Sequence, residues 1–243
     1  TGSYDGAGFT ISGLTMNLKN SERHLAFIEV LGAGAHITNT HLATASYDIS
    51  AGAIFVGLNK GTVENSSVSG SIKGWQGGGL VYLNQGTIKD SHSEATVDMS
   101  SGSLFYVVGG LVGRNDDTAI IRNSYSTGNV TGNAMTGGLV GWNSDGTITH
   151  SYAEGTVTGD GVNHGGLVGV NDDGGEIKYS YATGDVGGPD AGAPGGLVSR
   201  NDGLIQESYS YGFVTTASIG GGLVAENTDH AIIRNSFSVG GLK

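Results

Sequence analysis

The chain has 243 residues, of which 46 are glycine, about a fifth of the total against the roughly 7% usual in globular proteins. Only two prolines accompany them and no Gly-X-Y period runs through the chain, which excludes a collagen-like triple helix and argues against a disordered linker. With 11 Lys and Arg against 22 Asp and Glu, the formal charge of -11 repels nucleic acid, and the absence of cysteine removes disulfides, thiolate metal sites and cysteine nucleophiles.

Taken in chain order, residues 1–24 read as an irregular opening coil, with short strand-like runs around Tyr4 and from Phe9 to Leu14. Beyond residue 25 the chain repeats. Phe27 and Phe55 open the series, and Gly-Gly-Leu-Val then returns with its leucine at Leu80, Leu111, Leu139, Leu167, Leu197 and Leu223, giving a unit of about 28 residues. Ala53 to Leu58, among the longest apolar stretches, is far too short for a membrane helix, so no membrane insertion is expected.

Within each unit the residue types recur in columns. An asparagine follows four residues after the leucine (Asn59, Asn84, Asn115, Asn143, Asn171, Asn201, Asn227), then an Ile or Val (Val63 through Ile233), then a third apolar position such as Val130 and Val157. A serine stands three residues after the Ile or Val in every copy, and an aromatic follows it in the last five, at Tyr125, Tyr152, Tyr181, Tyr209 and Phe237. Three short strand-like runs separated by Gly, Asn and Asp turns cannot bury an apolar face in one unit, but units stacked about 4.8 Å apart can. The expected fold is therefore all-β: a single-domain parallel β-helix over residues 1–243, a right-handed solenoid with three sheets and seven to eight coils. No helix-forming segment is present to support a leucine-rich repeat, and the period is too short for a propeller blade.

The columns also nominate sites. The asparagine column is read as structural, each amide bonding to the next coil. The column Tyr125, Tyr152, Tyr181 and Tyr209 is the candidate binding face, because aromatic rings offer apolar area with a polar tip to carbohydrate. Acidic residues cluster after the asparagines at Asp116, Asp117, Asp145, Asp172 and Asp173, and carboxylates stacked in register would repel unless bridged, which makes calcium the metal to test; no other cofactor is expected. Ordinary turn chemistry is the stronger account of the same Asn-Asp and Asp-Gly pairs. Two insertions, Asp98 to Val107 and Gly187 to Ala193, break the period and mark further surface for binding.

The consensus G-G-L-V-G-x-N-x-G-x-I-x-x-S-Y-A-x-G-x-V resembles the GLUG motif, a bacterial repeat, with the best copies at Gly110–Gly113, Gly138–Gly141 and Gly166–Gly169. That resemblance implies an exported bacterial protein, secreted or on the cell surface, of haemagglutinin-like adhesins or the stalks of immunoglobulin A peptidases, and carries no catalytic residue to transfer. The expected role is structural and adhesive, presenting loops to glycans or proteins, without enzymatic activity. Two alternatives remain open: a fragment or protomer whose uncapped ends stack into filaments, and a polysaccharide lyase or hydrolase on the same fold. Against an enzyme, the paired acids follow the repeat rather than break it.

Overall fold

Short β-runs punctuated by glycine, each with one apolar residue pointing inward, can close a stable core only by pairing with their own copies in the next turn, and the chain does so. In the computed structural model, which describes residues 2–18, 24–101, 106–172, 174–188 and 190–243, the backbone coils into a parallel β-solenoid of about eight turns, roughly 28 residues each, without helix. Every strand pairing is parallel and joins equivalent residues of successive turns: Asn84 with Asn115, Ile121 with Ile148, Tyr125 with Tyr152, Val130 with Val157. The opening residues join this ladder too, since Ser3–Asp5 pairs with His36–Thr38 and both Thr10–Ser12 and Thr15–Leu18 pair with His41–Ile49.

The described strands form four sheets of nine, fifteen, five and eight strands, where three were expected. The three apolar columns do fall on separate sheets: Val112 and Val140 on the eight-stranded one, Ile121 and Ile148 on the nine-stranded one, Val130 and Val157 on the fifteen-stranded one. The fourth sheet is built largely from strands such as Gln76–Gly78 and Met135–Gly137, whose glycines give no apolar signal to read. Leu80, Leu111, Leu139, Leu167 and Leu197, wholly buried, fill the axis between these walls together with the Ile and Val columns.

Glycine is demanded where turns pass closest. A methyl on Gly138, in the bend between Met135–Gly137 and Val140–Asn143, would penetrate the carbonyl oxygen of Gly166 in the next turn and press on Ala153, so the tight stacking of these bends requires hydrogen there. At the corner between the nine- and fifteen-stranded sheets, the residue before each serine, and before Thr40 in the first copy, adopts a left-handed conformation: Asn39, Asn65, Asp90, Asn123, His150, Tyr179, Glu207 and Asn235, with φ between 44° and 51°. Asn and Asp tolerate that region most readily, which explains most of the column.

Candidate functional site

The serine–aromatic strands lie on the outer face of the fifteen-stranded sheet, and strict register brings their rings into one stack. His92 and Tyr125 are 4.6 Å apart between ring centres, Tyr125 and Tyr152 4.8 Å, Tyr152 and Tyr181 4.9 Å, Tyr181 and Tyr209 5.0 Å, with planes within 3° of parallel. Phe237 closes the row on Tyr209 at 5.3 Å. All four predicted tyrosines are therefore brought together. His92, which occupies the same column after its serine, extends the stack at one end; the column position rather than the residue type was its signal.

Stacking decides what this face can offer. Ring faces are taken up by neighbouring rings, so a ligand meets ring edges and phenol hydroxyls repeating at the ring spacing. Desolvation raises the pKa of Tyr125, Tyr152 and Tyr181, reinforced by the charge on Glu94 and Glu154 beside Tyr125 and by flanking tyrosines beside Tyr152. These hydroxyls stay protonated through the physiological range and can both donate and accept. Burial moves His92 the other way, keeping its ring neutral, with Glu94 opposing.

Two ladders set the register, one of asparagines at the ends of the eight-stranded sheet's strands and one of serines just before the tyrosines. Each asparagine donates from Nδ2 to Oδ1 of the next: Asn59 to Asn84 and Asn84 to Asn115 at 2.7 Å, then Asn115 to Asn143, Asn143 to Asn171, Asn171 to Asn201 and Asn201 to Asn227 at 2.8 Å. Each serine hydroxyl accepts from the backbone N–H of the serine one turn before, as Ser151 does from Ser124 at 3.2 Å, and donates to the carbonyl two residues back, here Thr149 at 2.9 Å. The aromatic that follows is held in place by a doubly anchored residue.

The acidic residues do not form one ladder. Register set by the asparagines places Asp116 and Asp172 in one column with Ser144 between them, and Asp117 and Asp145 in the next, while Asp173 lies outside the described residues. Arg114 pairs with Asp116 at 3.0 Å, Gln85 donates to Asp117 at 2.8 Å, and Asp117 and Asp145 take left-handed turn conformations with φ of 54° and 58°. Among the described residues no three acidic or histidine side chains converge as a metal ion requires.

Comparison with known proteins agrees with this geometry. The GLUG motif matches three consecutive segments, residues 106–131, 132–158 and 161–187. No curated protein matches the chain. Among solved structures, a candidate immunoglobulin A1 protease from Bacteroides ovatus is similar over 98% of this chain and 68% of its own, with a TM-score of 0.55 and 17% sequence identity, a likeness of fold alone. Three GLUG-motif repeats thus lie within residues 106–187 of this β-solenoid, the segment that carries Tyr125, Tyr152 and Tyr181.

Proposed function

We propose that this solenoid is a structural and adhesive segment of an extracellular protein, and that it lays a glycan along its tyrosine stack. The observation that carries this reading is the unbroken row from Tyr125 to Tyr209, with ring centres 4.8 to 5.0 Å apart. A row with a single period suits a ligand that itself repeats, and a polysaccharide aligned with the axis could place one hydroxyl-bearing unit against each coil. Protonated phenols suit uncharged hydroxyls, which they can meet as donor or acceptor. The motif and the fold likeness support an extracellular setting, where such a rod would space or present its binding face.

The test is retention on immobilised neutral and acidic polysaccharides, with and without calcium, scoring both bound protein and newly released sugar ends. Retention without release, lost in the double variant Tyr152→Phe/Tyr181→Phe, which keeps the rings and deletes two hydroxyls, is the expected result. Release of sugar ends by the parent chain would replace the adhesive reading with an enzymatic one. Retention untouched by the double variant would take the tyrosines out of the site. Retention that requires calcium would return attention to Asp117 and Asp145.

A further inference from the structure

A second concave site lies where the solenoid departs from its own repeat. The outward column of the fifteen-stranded sheet carries Asp48, Lys73 and Asp98 in direct register, whereas later turns place Thr131, Thr158 and Thr215 in that column. At the adjacent corner these three side chains, with Trp75, Ser100 and Ser101, line a cavity of about 200 Å³. Trp75 is 38% exposed, so part of its indole faces solvent.

The walls are held in place. Asp98 accepts through Oδ1 from the Ser100 hydroxyl at 2.7 Å and its backbone N–H at 3.3 Å, and the Ser101 hydroxyl donates to Gly74 O at 2.8 Å. The Trp75 backbone N–H donates to Ser50 O at 3.0 Å, and Asn133 Nδ2 of the next turn donates to Ser100 O. A turn serving stacking alone would follow the repeat; here a charged column, an adjoining indole and a cavity meet over three turns.

We infer that this cavity is a subsite for one uncharged sugar ring, a reading that rests on the glycan-binding function proposed above and adds a second contact point to it. The chemistry selects that class. Carboxylates accept from sugar hydroxyls, the Lys73 ammonium donates to them, and the indole packs against the apolar face of a pyranose. The volume lies below the roughly 300–1,000 Å³ of sites for drug-sized ligands, so a single ring is the fitting occupant. Lys73 stands in register between Asp98 and Asp48, so the site offers no unopposed cation to a uronic carboxylate.

The test uses Trp142→Phe, so that Trp75 is the only tryptophan, and follows its emission on titration with gluco-, manno- and xylo-oligosaccharides and with oligogalacturonate. A saturable change with a neutral series, absent with oligogalacturonate and weakened about tenfold or more in Lys73→Met, is expected, the scale of loss when a central contact is truncated. Matching melting temperatures would show that Lys73→Met remains folded. Emission indifferent to every neutral series, or equal binding by Lys73→Met, overturns the subsite. Retention on polysaccharide with unchanged Trp75 emission rejects the cavity and leaves the tyrosine face standing; an emission change without retention does the reverse.

Discussion

His164 shows how a single position can depart from its column and still be tolerated. It stands in register with Thr136 and Gly77's neighbour Val108 in the five-stranded sheet, wholly buried, with Nε2 2.9 Å from Gly132 O and Nδ1 without a hydrogen-bond partner. Burial lowers its pKa, with the Gly132 carbonyl and Asp160 opposing more weakly. The unfolded chain therefore takes up this proton first as pH falls through the ordinary value of about 6.5, and stability declines from there until the lower folded value is reached. Urea unfolding at pH 8 and pH 5 should show a larger loss for the parent chain than for His164→Thr, which borrows the residue of the preceding turn. Equal losses would place the pH dependence elsewhere. The left-handed corner gives the opposite lesson: Asn and Asp there are readable as turn residues, but His150, Tyr179 and Glu207 reveal their φ only in the folded chain, where His150 and Tyr179 rings stack 4.9 Å apart.

At the level of the element, the asparagine column behaves as one object. Asn143 accepts from Asn115, donates to Asn171, and also donates to Gly146 O at 2.9 Å, so Asn143→Ala strands a buried donor and two acceptors. Leaving such groups unpaired should cost about 2–4 kcal/mol in urea unfolding, whereas Asn227→Ala in the exposed last turn should cost under about 1 kcal/mol. Comparable costs at both positions would mean the ladder does not act as a buried network. This column was legible in the sequence because each amide meets its own copy. The aspartates were not, because Ser144 interrupts one column and the arginine two residues before Asp116 and Asp202 points along its own strand to neutralise each, at 3.0 Å in both pairs.

Over the whole molecule, each turn touches chiefly the turns before and after it, so stability is close to a sum of local interfaces. Turns spanning residues 106–187 bury Leu111, Leu139, Leu167, Ile121, Ile148 and Ile177 completely, while in the last turn Ile232, Phe237 and Leu242 are more than half exposed. Amide exchange followed by mass spectrometry should therefore be slowest in the central turns and rise toward the outermost ones. Uniform exchange along the chain would show instead that the solenoid opens as a single cooperative unit.

A translational repeat writes its three-dimensional neighbours into one dimension, since the residue one turn away in space is one period away in sequence. That is why the parallel solenoid, its period, its apolar columns, the tyrosine column and the asparagine ladder follow from the sequence alone. What lies sideways across a turn or at its corners has no period to announce it. Only the folded chain showed that glycine strands make a fourth sheet, that the tyrosine faces are spent on each other, and that Asp48, Lys73, Trp75 and Asp98 share one cavity. Those arrangements depend on corner geometry and on residues that occur once, where packing rather than pattern sets the outcome.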